Sequence, residues 1–495
     1  MSIRAERDEV FLQVTKSICP LCKTVLDAEI LARDGRILLS KRCTEHGSFE
    51  ALLSSDADAW LDAQRYNRPG SIPLEFQTEE RDGCPLDCGL CPSHKQHACV
   101  GLIEINSNCN LDCPVCFADS GHQPDSFSLS FDQVRLGLET FVRSEGQPEM
   151  VMFSGGEPTL HPELASFVRL ANELGVSQVT INTNGIRLAK DARLAAELAS
   201  LGASIYLQFD GTSAATDIAM RGRDLRALKE RALQRCLDEG LRVTLVAAIE
   251  KGVNDHEVLA VLEFGLSHPA VNSVVYQPVT HAGRHGPFDP TDRMTNADVV
   301  AALTGSTPAV LAPEDFVPVP CCHPACRLVT YLLRAEGAII PVPRLLDVEA
   351  HLDYVANRAL PDPSVRGALE RLWSASAVAG TEATAEQLAC ATCEIDLPAA
   401  ARDLARSAFM VVIQDFQDPY TLNVTQLMKC CVAEIVPDGR LIPFCAYNSV
   451  GYREEVRAAL TGIPVAPVVP NAAGLEGLLR RAPHGSMTLA AGTET

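Results

Sequence analysis

The sequence predicts an α/β protein whose centre is a partial TIM-type barrel of six β/α units. A small N-terminal rubredoxin-like or zinc-ribbon-like module precedes the barrel, and a cysteine-containing C-terminal α+β domain follows it. Three observations lead to this prediction. Apolar strand patterns alternate with amphipathic helix patterns between residues 100 and 279. Cysteines at metal-ligand spacings flank that region. The 495 residues are too many for one ordinary domain.

These observations divide the chain into five parts. We predict, in order, a mononuclear metal-binding module, an auxiliary iron–sulfur segment, the core barrel, a C-terminal auxiliary-cluster and substrate domain, and a loosely ordered tail. The corresponding ranges are 1–60, 61–100, 101–290, 291–450 and 451–495. An Ala-rich segment at 350–408 has helical character.

The six predicted barrel strands each end in a polar or glycine-rich loop. They are 101–106, 150–155, 178–183, 204–210, 242–250 and 273–278. Strands that alternate with helices form parallel sheets with right-handed crossovers. In barrels of this kind the active site lies at the carboxyl ends of the strands, where these loops begin.

The composition excludes several functional classes. The net charge is −21, from 63 acidic and 42 basic residues, which argues against a nucleic-acid-binding surface. The first residues lack the apolar core of a signal peptide, and the most apolar stretches are interrupted by prolines and polar residues. Nineteen cysteines, grouped at ligand-like spacings, indicate metal binding in a reducing compartment. We therefore expect a soluble cytoplasmic protein.

Three cysteines, Cys109, Cys113 and Cys116, follow the first barrel strand in a C-x3-C-x2-C arrangement. Three thiolates can hold three irons of a [4Fe–4S] cluster and leave the fourth iron open to another ligand. An open coordination site distinguishes a catalytic metal from a structural one. A zinc loop inserted into an ordinary barrel is the alternative interpretation.

A second C-x3-C-x2-C motif has a fourth cysteine close by. Its members are Cys84, Cys88, Cys91 and Cys99. Four ligands would close an auxiliary [4Fe–4S] cluster, and structural zinc is the alternative. A third cluster is predicted from the C-terminal cysteines. We favour Cys321, Cys326, Cys431 and Cys445 as its ligands, with Cys390 and Cys393 as rivals.

The N-terminal module contains two further ligand pairs on either side of a predicted hairpin. The pairs are Cys19 with Cys22 and Cys43 with His46. Together they predict a tetrahedral mononuclear site for iron or zinc. If His46 is instead a surface residue, three protein ligands remain.

Four more motifs lie at the ends of successive strands: "SGGEP" (Ser154–Pro158), "NTNG" (Asn182–Gly185), "QFDG" (Gln208–Gly211) and "VAAIEKGVND" (Val246–Asp255). With the three-cysteine loop, they resemble the radical SAM superfamily. The resemblance implies that S-adenosylmethionine (SAM) occupies the open iron and yields a 5′-deoxyadenosyl radical. It also implies a SAM-binding set of Gly155, Gly156, Glu157, Asn182, Asn184, Gln208, Asp210 and Ile249.

Within that superfamily, "KSICPLC", "YQPVTHAGR" and "PDGRLIPFCAYN" resemble the tetraether lipid synthases and their bacterial relatives. This resemblance implies hydrogen abstraction from unactivated carbon and carbon–carbon bond formation on lipid chains. One alternative is a radical methylase or modifier of a small pterin-like molecule or a peptide. Another is a non-catalytic iron–sulfur electron-transfer protein. Expected partners are a ferredoxin or flavodoxin, the lipid or small-molecule substrate, and the membrane surface, with residues 478–481 as a candidate contact.

Overall fold

The structure, a computed structural model, describes residues 9–121, 126–305, 310–320, 322–335, 338–344 and 408–462. Three predicted features lie wholly or largely outside these ranges. They are Cys321, the helical segment 350–408 with Cys390 and Cys393, and residues 463–495 of the predicted tail, which include the candidate membrane contact at 478–481.

The N-terminal module is a four-stranded antiparallel sheet followed by one helix. Its elements are β1 (Glu9–Ile18), β2 (Val25–Arg33), β3 (Arg36–Cys43), β4 (Gly47–Ser54) and α1 (Ala57–Ala63). The predicted hairpin is confirmed between β2 and β3, where Asp34 and Gly35 both have positive φ. Such angles suit the two-residue turns whose twist matches the flanking strands. The helix packs on the sheet through Trp60, which completes a small apolar core.

The six predicted barrel strands are confirmed, and they pair in parallel and in sequence order. They are β5 (Val100–Asn106), β6 (Met150–Gly155), β7 (Gln178–Thr183), β8 (Ser204–Gln208), β9 (Val243–Ile249) and β10 (Val271–Pro278). The helices around them are α2 (Phe131–Glu145), α3 (Leu164–Glu173), α4 (Ile186–Lys190), α5 (Ala192–Ser200), α6 (Ala214–Arg221), α7 (Arg226–Glu239), α8 (Val258–Ser267) and α9 (Asn296–Thr304). Apolar residues of strands and helices form one large core between the two layers.

The C-terminal residues extend this sheet at both edges. Strand β14 (Ala408–Gln414) pairs in parallel with β10, and β15 (Val432–Ile435) pairs in parallel with β5. Beyond β14, β12 (Arg327–Ala335) runs antiparallel. The short strands β11 (Val317–Pro318) and β13 (Ala338–Pro341) pair with β12, and β16 (Leu441–Pro443) pairs with β15. The described C-terminal strands thus continue the barrel sheet, whereas we expected a domain of their own.

Three short helices complete the described chain: α10 (Val424–Leu427), α11 (Phe444–Ser449) and α12 (Tyr452–Thr461). Helix α12 begins where we expected a loosely ordered tail. It packs on the protein because Tyr452 is fully buried, and the Tyr452 Oη donates to the carbonyl oxygen of Pro85 at 2.8 Å. Within the described ranges, no helix combines the length and apolar character needed to cross a bilayer.

Candidate active site and metal centres

The motif loops meet around one cavity of about 210 Å³ at the carboxyl ends of the barrel strands. Of the predicted site residues, the cavity is lined by Cys109, Cys113, Cys116, Gly155, Gly156, Glu157, Asn182, Asn184 and Gln208. It continues into the barrel interior between side chains of β5, β6, β8, β9 and β10. Residues that are far apart in sequence therefore share one site, as expected from motifs that end parallel strands.

Two glycines fit the "GGE" turn against the three-cysteine loop. A Cβ atom on Gly155 would lie 2.2 Å from the Asn106 carbonyl oxygen, and one on Gly156 would lie 2.2 Å from that of Asn108. The same backbones are hydrogen-bonded, from Gly156 N to Asn106 O at 2.8 Å and from Glu157 N to Asn108 O at 2.7 Å. Only glycine permits this approach, so the turn and the cysteine loop form one rigid unit.

The Glu157 side chain is buried and links the loop after β6 to the loop after β7. Its carboxylate accepts hydrogen bonds from the hydroxyls of Thr159 and Thr183, at 2.5 and 2.6 Å, and from the backbone N–H of Asn184 at 2.9 Å. Burial raises its pKa, and these hydrogen bonds act in the opposite direction. Protein donors surround this carboxylate, so the assignment of Glu157 to the SAM-binding set remains a prediction. The backbone of the adjacent glycines is better exposed to a ligand.

Two members of the predicted SAM-binding set do not line the cavity. Ile249 is fully buried in the core between sheet and helices, whereas its neighbour Ala248 faces the cavity. Successive residues of a strand point to opposite faces, so Ala248 and not Ile249 is the residue of β9 that faces the cavity here. Asp210 is also fully buried, and its carboxylate binds the Arg221 guanidinium through two hydrogen bonds of 2.7 Å.

Arg221 and Arg284 hold the cysteine loop, and sequence reasoning missed both roles. Arg221 lines the cavity and donates to the carbonyl oxygen of Val115 at 3.0 Å. Arg284 Nε donates to the carbonyl oxygen of Cys113 at 2.7 Å, and its backbone pairs with that of Cys116. Arg284 lies in the "THAGR" motif that we used only for the family resemblance, so the signal was present but had no assigned role.

The residues present fit a three-cysteine cluster with bound SAM. Three thiols and a glycine turn that admits no side chain line the same cavity. Burial raises the pKa of Cys109 to about 12 in the absence of metal. It also raises the pKa of Cys113, against the effect of the nearby Arg221 guanidinium. Thiols must lose their protons to bind metal, so metal binding at this site releases protons that burial otherwise holds on the sulfur atoms.

The N-terminal ligands converge as predicted, and His46 joins them. Among the described residues, Cys19, Cys22, Cys43 and His46 form a group whose ligand atoms all lie within 4.8 Å of one another. The sulfur atoms of Cys22 and Cys43 are 3.8 Å apart, and His46 Nδ1 is 3.6 Å from the sulfurs of Cys19 and Cys43. In a tetrahedral site, metal–sulfur bonds are ~2.3 Å and metal–nitrogen bonds ~2.0–2.1 Å. These bond lengths place two sulfur ligands about 3.8 Å apart and a sulfur and a nitrogen ligand about 3.6 Å apart. The geometry therefore fits a single tetrahedral metal ion.

The predicted auxiliary site is only partly brought together. Cys84, Cys88 and Cys91 line one small cavity, together with His94. Cys99 does not line it; its thiol lies 3.6 Å from His97 Nε2, and it packs in the apolar cluster that contains three C-terminal cysteines. The fourth ligand of this set therefore remains a prediction.

The C-terminal cysteines pair differently from our expectation. Cys322 lies near Cys431, with 2.9 Å between the sulfur atoms, whereas Cys321 lies outside the described residues. Cys430, which is not in the predicted ligand set, contacts Cys445, and a hydrogen bond from the Cys445 thiol lowers the pKa of Cys430 to about 7. Cys326 lies near this second pair.

His94 connects the two cysteine regions. It is buried, and its Nε2 atom lies 2.9 Å from the carbonyl oxygen of Cys430. Burial lowers the pKa of His94 to about 4, so the ring is neutral near pH 7 and can donate this hydrogen bond.

Comparisons with known protein families give the same class. The family model described as Radical SAM superfamily matches residues 103–265. A second, described as the HMPTM N-terminal zinc ribbon domain, matches residues 11–55. The protein is thus a radical SAM enzyme with an N-terminal zinc-ribbon domain, and this superfamily implies SAM and a [4Fe–4S] cluster as cofactors.

Relatives narrow the assignment. The 7,8-dihydro-6-hydroxymethylpterin dimethyltransferase of Methanocaldococcus jannaschii is 31% identical over 481 residues, which cover 89% of this chain and 94% of that protein. The chain belongs to the same family of the radical SAM superfamily as this dimethyltransferase. The Fe-coproporphyrin III synthase of Methanosarcina barkeri is 29% identical over 207 residues, 41% of this chain and 50% of that protein.

Among solved structures, Streptococcus suis SuiB bound to precursor peptide SuiA aligns with a TM-score of 0.35 and 15% identity, covering 41% of this chain and 44% of that one. The predicted resemblance to tetraether lipid synthases is not confirmed by these comparisons.

Proposed function

We propose that this protein is a radical SAM methyltransferase whose substrate is a reduced pterin or a closely related fused heterocycle. The observation that carries the proposal is its relationship, over nearly the whole of both chains, to a pterin dimethyltransferase. This corresponds to the methylase alternative from the sequence, which we now prefer to lipid coupling.

Different residues around the cavity would have different roles in such a reaction. Cys109, Cys113 and Cys116 would hold the cluster, and the backbone of Gly155 and Gly156 would meet the amino acid part of SAM. When bound, the cluster and SAM supply hydrogen abstraction from unactivated carbon. The electron comes from a reducing partner of the ferredoxin or flavodoxin type.

Two arginines keep the site aligned and closed. Arg284 donates three hydrogen bonds to the cysteine loop, to Cys113 O at 2.7 Å, to the Asp119 carboxylate at 2.9 Å and to Ser120 O at 3.1 Å. Arg453 donates to the carbonyl oxygen of Phe117 at 2.7 Å. Such bonds hold residues 113–120 of the loop in place, in a site where reactive groups must be positioned precisely and shielded from water.

Lipid carbon–carbon coupling is the second candidate. One observation favours it: the inner wall of the cavity is largely apolar, with Val100, Leu102, Met150, Met152 and Val246. An alkyl chain would pack against such a wall at little cost in free energy, because it moves from the apolar interior of a bilayer to an apolar cavity. Three polar side chains in the same cavity, those of Tyr206, Gln277 and Arg327, favour the heterocycle.

The deciding experiment uses the reduced holoenzyme under anaerobic conditions. We would incubate it with SAM and 6-hydroxymethyl-7,8-dihydropterin, with and without the small-molecule fraction of a cell extract as a source of other one-carbon donors. The proposal predicts 5′-deoxyadenosine and a pterin heavier by one methylene unit per methylation. The triple variant with alanine at Cys109, Cys113 and Cys116 should form neither.

Detergent-solubilised host lipids form the parallel arm. Lipid products lighter by two hydrogens per new bond, with the pterin unchanged, would replace the methyltransferase proposal with the coupling reaction. Formation of neither product nor 5′-deoxyadenosine in any arm would contradict both.

A further inference from the structure

The inner half of the cavity contains a polar group that the SAM motifs do not account for. Tyr206 on β8, Gln277 on β10 and Arg327 on β12 all line it. Their strands are neighbours neither in the sequence nor in the sheet, where β14 and β9 lie between them, yet all three side chains reach one cavity. The same cavity is lined by Val100, Leu102, Met150 and Val246, so the three side chains form a polar group within a largely apolar wall. A polar group in such surroundings needs hydrogen-bond partners, and a ligand can supply some of them.

The tyrosine of this group keeps a hydrogen-bond donor for a ligand in the cavity. Gln277 Nε2 donates to Tyr206 Oη at 3.0 Å, so the phenol acts as acceptor there and retains its own proton to donate. Arg327 is 5% exposed, and its Nε donates to Gln414 Oε1 on the neighbouring strand β14. That bond fixes the guanidinium plane at the rim of the barrel. The Arg327 charge also acts on Tyr206, because it opposes the rise that burial causes in the tyrosine pKa.

Aromatic rings cover the same cavity from the C-terminal side. Phe416 and Phe444 have ring centroids 4.5 Å apart, and Phe117 packs edge-on to Phe444 at 5.7 Å. All three line the cavity. A flat ring placed here would find aromatic faces and edges for stacking, and fixed donors for the acceptor atoms on its rim.

We propose that Tyr206, Gln277 and Arg327 form the recognition surface for the substrate's heterocycle, and that they bind the carbonyl and ring-nitrogen edge of a planar lactam such as a pterin. This inference rests on the proposed function and adds the residues that select the substrate. An alkyl chain has no group that could use these donors, so the same surface would discriminate against a lipid.

The test measures binding of 6-hydroxymethyl-7,8-dihydropterin to the holoenzyme by anaerobic titration calorimetry. We expect Arg327→Gln to weaken binding about 10- to 100-fold, because it removes hydrogen bonds from a charged donor, and Tyr206→Phe to weaken it about 3- to 10-fold. The matched control is Tyr276→Phe. That phenol is also buried, but it faces the helices and donates to the carbonyl oxygen of Val258 at 2.8 Å, so its removal should leave pterin affinity unchanged.

SAM affinity is measured in parallel and should be the same in all three variants, which separates substrate recognition from a general loss of the site. Tyr206→Phe removes one oxygen atom and keeps the test valid if Arg327→Gln does not fold. If the unmodified enzyme fails to bind the pterin, the proposed function falls, and this inference falls with it. If it binds and the two variants match Tyr276→Phe, the recognition surface is wrong while the proposed function stands.

Discussion

Arg284 Nε donates a hydrogen bond of 2.7 Å to the carbonyl oxygen of Cys113. The two residues are 171 positions apart, and their contact joins the loop after β10 to the loop after β5. The backbone of Arg284 also exchanges two hydrogen bonds with Cys116, at 2.8 and 2.9 Å. The last barrel loop therefore clamps the first one, at the position where three cysteines must keep a fixed spacing to share one cluster.

Replacing Arg284 with alanine should release this clamp. We expect lower iron at the three-cysteine site and a free energy of unfolding lower by about 2 kcal/mol, since hydrogen bonds from a charged group to partly buried acceptors are lost. Iron analysis and denaturant unfolding measure the two effects. Arg226→Ala is the control, because Arg226 is exposed and bonded only locally, to Asp224. Equal iron content in the two variants would contradict the clamp.

Alanine at Gly155 or Gly156 should abolish SAM binding. Either Cβ would lie 2.2 Å from a backbone oxygen that a side-chain rotation cannot move, so the turn must shift. Equilibrium dialysis of the reconstituted protein against SAM measures the loss. Gly202→Ala is a matched control, because Gly202 also has positive φ but has no atom within 4 Å of the added Cβ. The backbone strain in Gly202→Ala should cost about 1 kcal/mol of stability and leave SAM binding unchanged.

Removing the N-terminal metal should loosen the contact between the first and last parts of the chain. The buried Lys41 side chain donates to the carbonyl oxygens of Pro419 and Tyr420, at 2.7 and 2.8 Å, from the sheet that carries the metal ligands. We expect Cys22→Ser to lose one metal ion per chain and to raise hydrogen exchange at residues 415–426, because small metal modules depend on the ion for folding.

Cys236→Ala serves as the control for that experiment, since Cys236 is buried in α7 among apolar residues. It should keep the full metal content and the exchange pattern of the parent. Metal loss without any change at 415–426 would show that the module is docked independently of its ion.

Glu434→Gln should flatten the pH dependence of stability. Burial, with a contribution from the Glu104 charge, raises the pKa of Glu434 to about 8. An unfolded glutamate titrates near ~4.3. Between these values the folded protein holds the proton and the unfolded chain does not, so stability is greatest at low pH and falls as the pH rises towards 8.

The variant should therefore be more stable than the parent at pH 8, by more than about 1 kcal/mol. Denaturant unfolding between pH 5 and pH 8 measures the difference, and the exposed Glu239→Gln is the control. If the stability of Glu434→Gln and that of the parent changed with pH in parallel, the titration of Glu434 would be excluded as a cause of the pH dependence.

The barrel and its motif loops were predictable because their signals are local. All six predicted barrel strands are present. They could be recognised because a strand that is buried on both faces is a short apolar run between two amphipathic helix patterns. Ligands such as Cys19 and Cys22 are separated by only two residues on one turn, so spacing alone brought them together. The cavity could be expected because parallel strands end at a common rim.

Other parts of the site depend on contacts between distant residues. Strands β14 and β15 join opposite edges of the sheet after long connections, and no pattern in residues 408–414 or 432–435 indicates their neighbours. The cysteine pairs Cys322 with Cys431 and Cys430 with Cys445 follow from that placement. The choice of Ala248 over Ile249 for the cavity was set by which face of β9 packs on the helices. Arg284 has its role because the loop after β10 contacts the loop after β5, and Arg327 has its role because β12 pairs with β14. No single segment of the sequence encodes these contacts.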